Sequence, residues 1–152
     1  MVVSTRVYAF LFLILLIANV GLYQSAFAPR EMHTETFVVG KGSATLVKTE
    51  NRKIILIGAG SDASILRELG TRLAPWEREI DLLVLRSTAS KDAGGAPEVL
   101  KRYKVKVLTR PQTKGTYTWE NALVAATSAS VRIIYTKPGD TLSLDGIPVP
   151  LK

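Results

Sequence analysis

Two short apolar runs most constrain what this chain can become. Lys53–Ile57 reads KIILI and Ile80–Leu85 reads IDLLVL. Neither run shows the apolar–polar alternation of a half-exposed strand, so each is expected as a strand covered on both faces, as in parallel sheets. Between them, Ile65, Leu66, Leu69 and Leu73 recur at helical spacing; Asp62 or Ser64 can cap that helix and Pro75 can end it. Strand, helix and strand in that order predict an α/β or mixed α+β fold.

The flanking segments extend the pattern. Phe37–Val47 is expected as one strand, interrupted by a bulge or turn at Gly40 and Gly42 and joined to KIILI through Glu50-Asn51-Arg52. Pro97 suits the first turn of a helix ending at Tyr103, and Val105–Leu108 and VRIIYT (131–136) read as strands. ENALVAATS (120–128) fits either a helix or a strand. Near the end, a Pro-Gly-Asp turn and Asp145-Gly146 signal a hairpin.

The first 28 residues differ from the rest. Val7 to Ala28 carries no charge, and about 20 such residues suffice for a helix to span a bilayer core. Tyr8 and Tyr23 are placed as interfacial anchors. Ala26-Phe27-Ala28 also resembles a signal-peptide cleavage site, but the long apolar run and Pro29 directly after it favour a retained anchor. Residues 1–28 are therefore expected as a single membrane span, 29–36 as a juxtamembrane linker and 37–152 as the folded domain. Arg6 favours an inside amino terminus and an extracytoplasmic domain, whereas Arg30 argues for the reverse.

Composition narrows the chemistry. The absence of cysteine excludes disulfides and thiolate-ligated metal centres. The single histidine, His33, reads as an ordinary juxtamembrane residue, which leaves no imidazole for a Ser-His or Cys-His pair. A net charge of +7 suits anionic lipid or nucleic acid, and equally a solvated basic surface. Lys101, Arg102, Lys104 and Lys106 form the densest basic patch, without the interleaved aromatics of single-strand stacking sites.

Two loops follow the buried strands, at the edge where α/β proteins place their binding groups. In the first, Gly58, Gly60 and Ala63 occupy a G-x-G-x-x-A pattern whose backbone N–H groups could cradle a phosphate. A strand pair precedes Gly58, and Asp81 lies at the wrong end of its strand for a ribose contact, so a structural turn is the favoured reading. The second loop, RSTASKDAGG (86–95), holds one carboxylate, Asp92, and no His, Cys or Glu.

Taken in order, FVVGKGSATLV, IILIGAG, ILRELG, IDLLVLRS, RSTASKDAGG and APEVLKRY resemble the metallo-β-lactamase-fold domain of the competence protein ComEC, a DNA-uptake channel. That family carries FLDVGQGDAILI, ILIDGG, VLRELG, IDLLVLTH, HxHxDHxGG and PEVL in the same order. The similarity runs from about Phe37 to the PGDTLSLDG stretch near Gly146. It implies about half of an αββα sandwich, extracytoplasmic, with a possible DNA partner, and an uncovered face that self-association or a partner chain would close.

The resemblance also implies zinc or manganese, but the ligand positions are replaced. Counting back from Gly94-Gly95, the metal histidines fall on Ser87 and Ala89, the metal-binding Asp on Lys91, and the next histidine on Asp92. The acidic positions of GQGDA and DGG fall on Ser43 and Gly58. Zinc needs three or four N, O or S ligands, and here one carboxylate stands beside an ammonium. The expectation is a non-catalytic protein without a cofactor. The rival readings are a hydrolase completed by a partner chain and a nucleotide-binding module at Gly58–Ala63.

Overall fold

The computed structural model describes residues 5–27, 31–127, 131–137, 141–144 and 147–150. The chain divides into two compact units, Met1–Glu31 and Met32–Lys152. The first contains helix α1 (Thr5–Phe27), whose side chains are described without interruption only over 10–20, all of them exposed. Among the described residues, no helix is long and apolar enough to cross a membrane. The membrane span expected over 1–28 therefore rests on the sequence alone.

The second unit is an α/β fold built on a six-stranded mixed sheet with four helices. Its strands are β1 (His33–Val39), β2 (Gly42–Lys48), β3 (Ile54–Ile57), β4 (Glu79–Val84), β5 (Lys104–Pro111) and β6 (Arg132–Thr136), lying side by side in chain order. β1 to β3 pair antiparallel, and β3 to β6 pair parallel. The helices are α2 (Ile65–Arg72), α3 (Ser90–Ala93), α4 (Ala96–Arg102) and α5 (Tyr117–Ala126). β7 (Thr141–Leu144) and β8 (Ile147–Pro150) pair antiparallel, Leu144 opposite Ile147, as a hairpin signal between them requires. Asp145-Gly146 and the Pro-Gly-Asp turn lie outside the described residues.

Several boundaries differ from the sequence reading. The strand expected over Phe37–Val47 is two strands, because the chain reverses at Gly40 (φ +59°) and Val39 pairs back onto Gly42. β1 begins at His33, so this histidine opens a strand rather than lying in a linker; its side chain faces Glu35 at 4.0 Å. ENALVAATS is helical through Ala126. Ser64 makes no side-chain cap; the Asp62 carboxylate accepts the Ser64 N–H instead, at 2.9 Å.

One face of the sheet packs on the helices. Leu56, Leu83 and Leu108 are neighbours in register across β3, β4 and β5, and with Ile65, Leu69 and Val99 they are wholly buried. A second cluster, on Val47, Ile55, Leu82 and Val84, is also buried. By alternation along the strands, these side chains stand on the sheet's other face. Its apolar strip is narrow, because β1 contributes Thr34 and Thr36 opposite Val47 and Thr45, and the Thr36 and Thr45 hydroxyls pair at 2.9 Å.

Because β1 runs antiparallel to β2, and β2 to β3, β1 points the same way as β3, β4 and β5. Their carboxyl ends meet at one edge with the turn at 40–41 and the loops at 58–64, 85–95 and 112–116. Their amino ends meet at the opposite edge. Both edges depend on the leucine layer between them. Leu83→Ala is expected to lower unfolding free energy by about 2–5 kcal/mol, read from the urea midpoint, with the m-value unchanged.

Candidate functional site

At the carboxyl edge, the loop after β4 is organised around Asp92. One carboxylate oxygen accepts the backbone N–H groups of Arg86 (3.1 Å) and Ser87 (2.9 Å), and the other lies 3.6 Å from the Arg86 guanidinium. Ser87 Oγ in turn accepts the Ala89 N–H at 2.9 Å, which turns the chain into α3. The Asp92 side chain is only 13% exposed. A carboxylate in this position serves as the internal cap of its own loop.

The neighbouring loops lock onto this one through the backbone. Ala59 N–H donates to the Asp92 carbonyl at 2.7 Å, and Gly95 N–H to the Gly60 carbonyl at 3.2 Å. Gly42 is required by close approach: a Cβ there would stand 1.7 Å from the Lys91 carbonyl oxygen. Gly58 has φ +73°, and its Cβ would meet the Ser43 carbonyl at 3.0 Å and the Asp92 carboxylate at 3.1 Å. Of the positions marked by the resemblance, Ser43, Gly58, Ser87 and Asp92 therefore come together, whereas Ala89 and Lys91 are exposed.

A second polar cluster, with no signal in the sequence, stands beside them. Arg110, at the end of β5, makes a two-pronged ion pair with Glu120 of α5, and Glu120 also accepts the Gly115 N–H at 2.7 Å. The Arg110 guanidinium lies 5.1 Å from the Trp119 ring centre, and the indole N–H donates to the Ala93 carbonyl at 2.8 Å. This docks α5 against the Asp92 loop. The hydrogen bonds from Arg110 hold the Glu120 carboxyl well below its ordinary range, at about 2, with burial opposing them. Arg110 Nε is buried and has no hydrogen-bond partner among the described residues.

Most cations of the expected patch at 101–106 have carboxylate partners. Lys101 pairs with Glu98 at 2.8 Å, Lys104 with Glu79 at 3.5 Å, and Lys106 with both Glu79 and Asp81. Asp81 also accepts the Ile54 N–H at 2.9 Å. Burial would raise the Asp81 carboxyl, but the bonds from Lys106 and Ile54 leave it below its ordinary value. Of the four cations, only Arg102 lacks an ion pair among the described residues. At the carboxyl edge the pattern reverses. Lys41 and Lys91 are exposed and make no ion pair among the described residues, and neither does Lys114, although Glu120 feels its charge.

The glycine turn after β3 does not suit a phosphate. Gly58 N–H donates to Val84, Ala59 N–H to Asp92 and Ser61 N–H to Val39, all within the fold. At Ala63 and Ser64 the helix start already faces the Asp62 carboxylate, which hydrogen bonds from Ser64 and Ser61 hold below its usual value. A phosphate there would meet a fixed negative charge.

The metal test also fails on the donor set. Among the described residues, no three His, Asp or Glu side chains are grouped to hold a metal ion. Asp92 already serves two N–H groups, and Lys91 brings a positive charge. No family model matches the chain, and a search of curated proteins finds no match.

The Arg110–Glu120 pair has a defined acid signature. Because the folded-state value of Glu120 is depressed, its contribution is complete above the usual glutamate range, near 4.5, and is lost as pH falls towards about 2. Glu120→Gln is expected to flatten the fall in stability over that window relative to wild type, measured by chemical denaturation at stepped pH. Equal slopes in the two proteins would show that the pair does not carry it.

Proposed function

We propose that this chain is a membrane-anchored, non-catalytic relative of the ComEC-type metallo-β-lactamase fold, whose carboxyl edge contacts the phosphate backbone of DNA outside the cytoplasm. The observation that carries the reading is the direction of charge at that edge. Asp92 and Glu120 are turned inward onto backbone N–H groups and Arg110, while Lys41, Lys91, Lys114 and the partly exposed Arg86 remain on the outside. Asp62, exposed in the 58–64 loop, is the carboxylate that stays outward at this edge among those named here, so the surface offered to a polyanion is the side formed by Arg86, Lys91 and Lys114, which needs no reading of bases.

The ordered motifs shared with ComEC support the fold relationship, and the uncharged run from Val7 to Ala28 supports the anchor. Replacement of the ligand positions by Ser87, Ala89 and Lys91 supports a binding role rather than hydrolysis. A partner chain or second copy fits β6, which pairs only with β5 among the described residues and exposes Tyr135.

Two measurements test this reading. Binding of the full chain in nanodiscs to labelled duplex DNA should weaken linearly in log–log form with salt. Each phosphate contact contributes a slope of about −0.9, so Lys91→Ala and Lys114→Ala should each flatten it by about one. Binding that ignores salt, or none at low salt, removes the DNA assignment.

Asp92→Ala should cost about 1–3 kcal/mol of stability, because two N–H groups lose their acceptor, and should leave metal content unchanged. Stoichiometric zinc or manganese in the wild type, lost in that variant, would instead establish the hydrolase.

A further inference from the structure

We infer that the opposite edge of the sheet, where Trp76 projects beside Arg78, Arg102 and Tyr103, docks onto the head groups of anionic lipids. Trp76 is 83% exposed, an unusual state for so large an apolar ring. Its exposure is not that of a loose loop. Glu77 N–H donates to the Ala74 carbonyl at 2.8 Å and Arg78 N–H to the Trp76 carbonyl at 3.0 Å. The Glu77 carboxylate holds the Ala74 N–H and the Lys48 ammonium, each at 2.9 Å. The turn is fixed in a form that holds the indole in solvent.

Next to it lies a cavity of about 220 Å³, lined by Leu73, Pro75, Arg78, Arg102 and Tyr103 among others. Its one carboxylate, Glu77, is engaged by Lys48, and Arg102 makes no ion pair among the described residues. Arg78 Nε donates to the Pro75 carbonyl at 3.1 Å. Burial pushes the Tyr103 hydroxyl up, against the pull of Arg102 and Arg78, so it remains a neutral donor at neutral pH. Two guanidiniums and a phenol around one recess suit a phosphodiester.

The projecting indole selects the source of that phosphate. An amphipathic ring beside cations is the arrangement that settles at the lipid–water boundary. A nucleic-acid strand would call for a series of exposed stacking rings, whereas at this recess Tyr103 is half-buried and Trp76 alone projects. β1 also begins at this edge, at His33. The inference rests on the proposed anchoring by α1 and adds which edge meets the bilayer.

The test uses the full chain in vesicles of phosphatidylcholine, with or without phosphatidylglycerol, carrying brominated acyl chains. Only Trp76 and Trp119 fluoresce as tryptophan. Quenching should appear with phosphatidylglycerol, fall with added salt and vanish in Trp76→Phe. Arg78→Gln and Arg102→Gln should each lower the docked-to-free ratio about fivefold, the equivalent of roughly 1 kcal/mol per basic residue at an anionic surface.

A chain that floats with the vesicles while Trp76 stays unquenched overturns the docking and leaves the anchor standing. Equal quenching in both lipids, indifferent to the arginine changes, overturns the anionic selectivity. Salt-reversible binding to phosphatidylglycerol vesicles alone, with Trp76 quenched, supports the docking and removes the anchor. Thermal stabilisation by inorganic phosphate without lipid-dependent quenching marks a free-phosphate site and overturns the lipid assignment.

Discussion

The carboxylate of Asp92 is the constraint on which the carboxyl edge depends. A loop leaving a buried parallel strand must find acceptors for its first N–H groups, because the sheet no longer supplies them. Asp92 supplies both, for Arg86 and Ser87, from one turn further along the chain. That closure places the Asp92 carbonyl where Ala59 can donate to it, and the Lys91 carbonyl against Gly42. Three loops from distant parts of the sequence are thereby held in one frame. The same frame provides the Ala93 carbonyl that anchors Trp119, and through Trp119 and Glu120 the placement of α5.

What could be read from sequence follows the range of the interactions. KIILI, IDLLVL and the helical spacing of Ile65, Leu66, Leu69 and Leu73 are local patterns, and they located β3, β4 and α2. The reversal at Gly40 was harder to read, because a glycine pair in a strand suits a bulge as well as a turn until the pairing of Val39 with Gly42 is known. The Arg110–Glu120–Trp119 cluster left no trace, since its partners meet only once α5 has packed. The ion pairing of the basic run at 101–106 was hidden for the same reason. Lys106 lies across the sheet from Asp81, a neighbour that sequence distance conceals.

Charge is thus sorted by the fold rather than by the chain. Of the cations dense in sequence, Lys104 and Lys106 are neutralised by strand neighbours and Lys101 by its own helix, whereas scattered ones, Lys41, Lys91 and Lys114, come to one edge because turns and loops of separate strands end there. The opposite edge carries the indole of Trp76 and the guanidiniums of Arg78 and Arg102. A parallel sheet gives such a domain two chemically distinct ends. In the proposed reading, one meets lipid phosphates and the other meets the phosphates of a nucleic acid.

If the proposed kinship with ComEC holds, the frame also bears on whether metal chemistry could return by a small step. An acidic residue at 58 would have to adopt φ +73°, a left-handed conformation that costs a non-glycine residue about 1–2 kcal/mol. Its Cβ would stand 3.1 Å from the Asp92 carboxylate, which repels a second negative charge unless a cation lies between them. Freeing Asp92 to bind that cation would strip the acceptor from Arg86 and Ser87. An acid restored at 58 on its own therefore destabilises the loop beside it. In that reading, the loop is held as a backbone support by the residue that would otherwise be its last metal ligand.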